Sequence, residues 1–167
     1  FQDVIKVSAI LKEEDPKAFI VLGGLCSVIA SELILQKIPH IDVAVQGEGE
    51  KPMCELCDFL LKKKKLKDIK GIAFRENERI FYNPQNGYLD LDQLSFPAYN
   101  LLDIKHYRIH PPFGFYSPAI SMETSRGCAF NCEFCCLSKS YRVRNIEGVV
   151  DEISYLKKTY GINEIYF

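Results

Sequence analysis

The sequence predicts an α/β protein in two parts: a doubly wound sheet with parallel strands, and further on a separate β-α-β unit. Short β-rich apolar runs alternate with helical ones, and glycine turns stand at the switches between them. A stretch rich in Pro, Asn, Asp and Tyr, without sustained periodicity, separates the two parts.

The chain opens in an amphipathic helix with Val4, Ile5, Ala9 and Leu11 as its apolar face. Phe19 to Leu22 reads as a strand that ends in Gly23-Gly24, and Ser27 is placed to cap a helix from Val28 to Lys37. A second such unit follows, with Ile41 to Val45 as strand, Gln46-Gly47-Glu48-Gly49-Glu50 as turn and Pro52 to Leu61 as helix. In a parallel sheet of this kind, ligands lie at the carboxyl ends of the strands. Lys62 to Lys65 is a solvated helix end, and Ile69 to Phe74 and Arg79 to Tyr82 are two strands around Glu76-Asn77-Glu78. Residues 83–118 are expected to be a linker wrapped on a surface. Ala119 to Glu123 resumes as a strand, and a cysteine-rich loop runs on to Arg144. Asn145 then caps a helix with Ile146, Val149, Val150, Ile153 and Leu156 as its face, Gly161 ends it, and Ile162 to Phe167 begins the next strand. The expected boundaries are residues 1–68 for the first domain, 69–118 for the linker and 119–167 for the start of the second domain.

Composition narrows the classes of function. With 47% hydrophobic and 26% charged residues the chain is ordinary globular material. A net charge of -1 gives no broad attraction to nucleic acid or to an anionic membrane. No apolar run approaches the about 18 residues of a membrane span, and no signal region is present, so the expected location is cytoplasmic. The chain begins at Phe1, already inside a helix, and a single β-α-β unit exposes both sheet edges. Both ends are therefore expected to be cut short, and the chain alone to be marginally stable and catalytically incomplete.

Seven cysteines is an odd number, and four of them crowd between Cys128 and Cys136. Without a secretion signal, that crowding points to metal ligation or catalysis rather than to disulfides. The segment reads Thr124-Ser125-Arg126-Gly127-Cys128-Ala129-Phe130-Asn131-Cys132-Glu133-Phe134-Cys135. Spacings of three residues and then two let one loop wrap a cubane and offer three thiolates, leaving a fourth iron open. Ferredoxin-type clusters use four thiolates, so three suggest a cluster that itself binds a ligand. Three thiolates about 4 Å apart would repel by about 4 kcal/mol per pair at an effective dielectric of about 20, and need a cation to stay ionised. Zinc with Cys136 as fourth ligand is the alternative, and a non-enzymatic zinc module the function it would imply. Adjacent cysteines converge poorly on one tetrahedral ion, which leaves Cys136 as a packed neighbour.

The strand, the Cys-x3-Cys-x-aromatic-Cys loop, the helix and the following strand resemble the start of a radical S-adenosylmethionine domain, the first β-α-β of a partial TIM-type barrel. The resemblance implies a 4Fe-4S cluster on Cys128, Cys132 and Cys135. Its open iron would hold S-adenosylmethionine for reductive cleavage to methionine and a 5'-deoxyadenosyl radical, and Phe134 would stand beside the adenine. It also implies a small-molecule substrate and an electron donor such as flavodoxin or ferredoxin. Upstream, the turns at Gly23-Gly24 and at Gly47-Glu48-Gly49-Glu50 resemble the C-terminal half of a Rossmann-like cobalamin-binding domain. Gly71-Ile72, Leu91-Asp92-Gln93-Leu94, Phe96-Pro97-Ala98 and the Tyr107 region are similar to the bridge that follows it. Such domains precede the radical domain in cobalamin-dependent methyltransferases and in enzymes like the anaerobic magnesium-protoporphyrin cyclase. The resemblance therefore implies cobalamin as a further cofactor, with Gly23, Gly24, Gly47, Glu48 and Gly49 near it. The histidine loop that supplies the lower cobalt ligand in this family lies before these elements and is absent here. A radical enzyme whose upstream domain only shapes the substrate entrance is the competing reading, because glycines after strands serve helix packing equally well.

Other reactive residues have plainer expectations. Cys54 and Cys57 lie one turn apart on an apolar helix and Cys26 lies beside the glycine pair, so all three are expected to be packed. His40, His106 and His110 lack mutual metal spacing. Arg142 and Arg144, just after the loop, are placed to steady a ligand carboxylate or Glu152, or to make surface ion pairs.

Overall fold

The computed structural model describes residues 1–107, 118–135 and 140–167. Phe1–Tyr88 and Leu89–Phe167 form two separate units.

In the first unit α1 (Gln2–Glu14) leads to β1 (Val21–Leu22), α2 (Leu25–Lys37), β2 (Val43–Val45), α3 (Glu50–Leu60), β3 (Ile72–Glu76) and β4 (Arg79–Asn83). The four strands form one sheet in the order β1-β2-β3-β4. Only β1 and β2 pair in parallel, while β3 pairs antiparallel with β2, and β4 with β3. The expectation of a purely parallel sheet is therefore corrected to a mixed one. Two local features account for it. Gly71 sits at φ +73, and its carbonyl accepts from the Gln46 amide at 2.8 Å, which fixes β3 running back along β2. Asn77 and Glu78 both take positive φ, 49° and 61°, the backbone of a tight hairpin whose twist matches its strands. Residues 69–83, expected to lie in the linker, are thus the antiparallel half of this sheet.

Side chains on β2 alternate between two apolar layers, as the pleat requires. Val43 and Val45 pack with Leu56 of α3, Leu66, Ile69, Ile72 and Phe74. Ala44 joins Ala73, Ile41 and the Ile34, Leu35 and Ile38 end of α2 on the other face. Asp42 ties α1 to this sheet, because one carboxylate oxygen accepts from the Ile20 amide at 2.7 Å and lies 2.9 Å from Lys12 Nζ. Ser27 does not cap α2 as expected, since Gly24 holds the cap position. The Ser27 hydroxyl is fully buried and donates to the Val45 carbonyl at 2.5 Å, at the end of β2.

The second unit pairs β5 (Ala119–Ser121) in parallel with β8 (Glu164–Tyr166), and α4 (Ile146–Tyr160) forms the crossover. Between them β6 (Ser125–Arg126) and β7 (Arg142–Val143) make a two-residue antiparallel ladder. Asn145 caps α4 as expected, its Oδ1 accepting from the Gly148 amide at 2.6 Å, and Gly161 ends it at φ +68. The helix face is narrower than expected. Leu156 is buried and Val149 and Ile153 pack on the core, but Ile146 and Val150 are exposed. The presumed surface linker also contributes to this core: Tyr99 and Ile104, on short 3-10 turns, pack with Ile120, Met122, Leu156 and Ile162. Spacing of two or three buried residues across irregular turns leaves no period to read, which is why the sequence suggested a linker.

Replacing Phe74 by Ala should destabilise the first unit by about 3–5 kcal/mol, because that ring is fully buried at the sheet centre. Leu61→Ala, at a 64% exposed position, should stay within about 0.5 kcal/mol. Urea denaturation followed by circular dichroism measures both, and equal effects would place the core elsewhere.

Candidate metal centre

The cysteine loop leaves the sheet just beyond β5 and returns through β7 into α4. Its neck is the β6-β7 ladder, in which Ser125 pairs with Val143 and Arg126 with Arg142. Gly127, at φ +82, turns the chain out of that ladder in the left-handed region that favours glycine. Cys128, Cys132 and Cys135 are free thiols, Cys132 exposed and the other two half-buried. The Phe130 amide donates to Cys128 Sγ at 3.4 Å, and the Cys135 amide to the Cys132 carbonyl at 3.1 Å. Phe134 is 94% exposed, an aromatic surface with little protein against it. Among the described residues no group of three or more His, Cys, Asp or Glu side chains is gathered around one metal position. The donor chemistry nonetheless suits a thiophilic centre: three free thiols lie within eight residues of one loop. Cys136 and His110 lie outside the described residues. His106 is exposed and pairs with Asp103.

The other cysteines depart from expectation. Cys26, Cys54 and Cys57 are all exposed. Leu56 and Pro52 occupy the buried stripe of α3, which turns Cys54 and Cys57 outward.

Beneath the loop neck lies a buried charge that the sequence only hinted at. Glu152, on α4, is 1% exposed. One carboxylate oxygen is 2.6 Å from Arg144 Nη1, and the other accepts from the Tyr99 hydroxyl at 2.5 Å. Of the partners weighed for Arg144, the structure selects Glu152. The same Nη1 reaches the Glu123 carbonyl at 2.9 Å, and the Arg144 amide donates to the Thr124 carbonyl at 2.9 Å. Arg142 Nη1 donates to the Leu89 carbonyl at 2.7 Å. Leu91, Ser95, Ser125, Arg126, Arg144 and Glu152 border a small cavity of about 70 Å³ here. Burial pushes the Tyr99 hydroxyl well above the ordinary tyrosine range, and its bond to Glu152 adds to the shift. Tyr99 was missed because nothing in its sequence neighbourhood marks it as a partner for a residue 53 positions away.

In the first unit both glycine turns stand at the carboxyl ends of the parallel strands. Gly23 and Gly24 follow β1, and Gly47, Glu48 and Gly49 follow β2. A Cβ at Gly23, Gly24 or Gly49 would meet nothing within 4 Å, so internal crowding does not demand glycine there, although Gly24 takes φ +87. Gly47 differs, since its Cβ would lie 2.0 Å from the Gln85 side-chain oxygen.

Neutral Tyr99 is favoured in the folded chain, so its contribution to stability is complete below the unfolded tyrosine pKa of about 10 and is lost as pH rises beyond it. Tyr99→Phe should abolish that part of the alkaline fall while lowering stability near neutrality. Unfolding free energies measured between pH 8 and pH 11.5 (roughly spanning the tyrosine range) test this, and parallel curves for both proteins would refute it.

No protein-family model matches the chain. An uncharacterized methyltransferase of Pyrococcus horikoshii is 37% identical over 99% of this chain and 36% of its own length. The anaerobic magnesium-protoporphyrin IX monomethyl ester cyclase of Cereibacter sphaeroides is 32% identical over 96% of this chain and 26% of its own length. The chain thus spans about a third or less of these curated relatives. Among solved structures, the cobalamin-dependent S-adenosylmethionine radical enzyme OxsB superposes with a TM-score of 0.72 at 22% identity, over 99% of this chain and 23% of that one. The radical S-adenosylmethionine methyltransferase TsrM of Kitasatospora setae, solved with cobalamin and a [4Fe-4S] cluster, gives 0.63 at 22% identity, over 95% of this chain and 32% of that one. Along nearly its whole length the chain is therefore homologous to a segment of methyltransferases and magnesium-protoporphyrin cyclases, and it shares its fold with cobalamin-dependent radical S-adenosylmethionine enzymes.

Proposed function

We propose that this chain carries the cluster loop of a radical S-adenosylmethionine enzyme, and that the whole protein is a cobalamin-dependent methyltransferase or cyclase acting on a small molecule. The observation that carries the reading is the set of three free thiols on one loop, rising beyond the first strand of a parallel β-α-β unit. Cys128, Cys132 and Cys135 would hold a 4Fe-4S cluster. When bound, such a cluster supplies an electron and an open iron for the reductive cleavage of S-adenosylmethionine. The chain's own residues supply position and electrostatics. The Phe130 amide donates to Cys128 Sγ and so orients it, and exposed Phe134 offers a face on which adenine can stack. β5, α4 and β8 would form the first turn of the radical domain's barrel, where active sites lie at the carboxyl ends of the strands.

The first unit would be the latter half of a cobalamin-binding domain. Gly23, Gly24 and Gly49 suit that role because the space above them is open, leaving backbone accessible to a large planar ligand. Glu48 stands between Gly47 and Gly49, half-buried. The contact between Gly47 and Gln85 favours a second reading for that one position, packing within the chain. In the reading where the first unit merely lines the substrate entrance, the same would be true of all five.

Anaerobic reconstitution with iron and sulfide should give a brown protein whose charge-transfer absorption disappears in Cys128→Ala, Cys132→Ala and Cys135→Ala. Cys26→Ala, Cys54→Ala and Cys57→Ala should keep it. Metal analysis with visible spectroscopy reads the outcome. Stoichiometric zinc without sulfide would replace this reading with a zinc module, and iron retained by all three loop variants would move the site elsewhere.

A further inference from the structure

We propose that Arg144 is a positioning residue for the cysteine loop, held in place by buried Glu152 and by Tyr99. The inference rests on the reading of that loop as a 4Fe-4S site. A loop whose two chain ends are held at a set separation has less to order when its three cysteines close around a cubane. The β6-β7 ladder has two residue pairs, too few to hold a neck by itself. Arg144 supplies the rest. Its amide bonds the Thr124 carbonyl, on the outgoing side of the neck, at 2.9 Å. Its guanidinium reaches the Glu123 carbonyl, just past β5, and the Glu152 carboxylate on α4. One side chain thus joins the strand that leads into the loop to the helix that leads out of it.

The geometry needs arginine and a buried anion together. A single nitrogen, Nη1, lies against both the Glu123 carbonyl and the Glu152 carboxylate, and the long arginine side chain carries it to these two elements at once. A carboxylate 1% exposed is tolerated because the Tyr99 hydroxyl donates to one oxygen and the Arg144 cation lies against the other. Tyr99 also fixes the rotamer of Glu152, and Glu152 in turn fixes the guanidinium. Arg126 is occupied by Glu123 at 2.8 Å and Arg142 by the Leu89 carbonyl, so neither stands in for Arg144. Among the described residues no three His, Cys, Asp or Glu side chains are gathered around one metal position, and the order they show is that of the neck.

The test uses the anaerobically reconstituted full chain, with iron release to an excess of chelator and electron paramagnetic resonance of the reduced cluster as readouts. Arg144→Ala and Glu152→Ala should speed iron release by roughly 10–100-fold, the usual effect of losing a residue that orients a metal's ligands, and should broaden the resonance. Glu152→Gln, which keeps acceptor and shape, should recover most of the retention. Arg144→Lys keeps the charge on a shorter side chain without the guanidinium, and should show faster iron release at an unchanged unfolding midpoint, which separates positioning from folding. Wild-type retention and resonance in a folded Arg144→Lys chain would overturn the proposal, as would Glu152→Gln behaving like Glu152→Ala. A wild-type chain that takes up no iron and sulfide would instead overturn the cluster reading beneath it.

Discussion

A carboxylate shut away from water must find its counter-charge inside the protein, and in the second unit that requirement organises what surrounds it. Glu152 points inward from α4, and its two oxygens are met by Arg144 and by Tyr99. Each partner comes from a different stretch of chain. Arg144 belongs to the returning end of the cysteine loop, and Tyr99 to an irregular segment that precedes β5. Removing either would leave one oxygen of the buried Glu152 carboxylate without its partner, a loss of about 3–5 kcal/mol when the charged partner goes. The pair therefore binds loop, helix and upstream turn into one body, with the apolar contacts of Ile120, Leu156 and Ile162 beside it.

The first unit follows a different logic. Its sheet is covered on both faces by apolar layers, and polar groups collect at the carboxyl ends of β1 and β2. Ser27 spans these two ends, bonding the Val45 carbonyl and, at 3.3 Å, the Leu22 carbonyl, while buried Gln46 donates to Ser31 at 2.6 Å. These bonds satisfy the strand ends from below and leave Gly23 and Gly24 exposed above them. That is the place where open α/β sheets bind ligands. The antiparallel addition of β3 and β4 extends the sheet away from it. Among the described residues no helix is long and apolar enough to cross a membrane.

The sequence was most informative where local chemistry decides structure. Asn145 and Gly161 mark the ends of α4 through a side-chain cap and a left-handed residue, both local effects, and both stand where the sequence placed them. The thiol spacing of the loop is likewise a local pattern. Long-range choices were illegible. The short turn at Glu76-Asn77-Glu78 marks Ile69 to Tyr82 as a hairpin, but nothing there says that the hairpin joins β2 antiparallel, and Gly71 reveals its role only through the Gln46 amide it meets. The outward turn of Cys54 and Cys57 depends on which face of α3 meets the sheet, and Leu56 decides that. The pairing of Tyr99 with Glu152 crosses 53 positions and has no sequence signature beyond a charge on an otherwise apolar helix face.

The central chemical proposal is that the three thiols hold a 4Fe-4S cluster with an iron left open for S-adenosylmethionine. Electron paramagnetic resonance of the anaerobically reconstituted and reduced chain, recorded with and without S-adenosylmethionine, tests it most directly. The claim predicts the axial or rhombic signal of a reduced 4Fe-4S cluster and a change in its g values when S-adenosylmethionine is added, because the ligand binds the cluster itself. A signal indifferent to S-adenosylmethionine would mean that the fourth iron is closed, and a diamagnetic protein containing zinc would mean that the loop serves another metal.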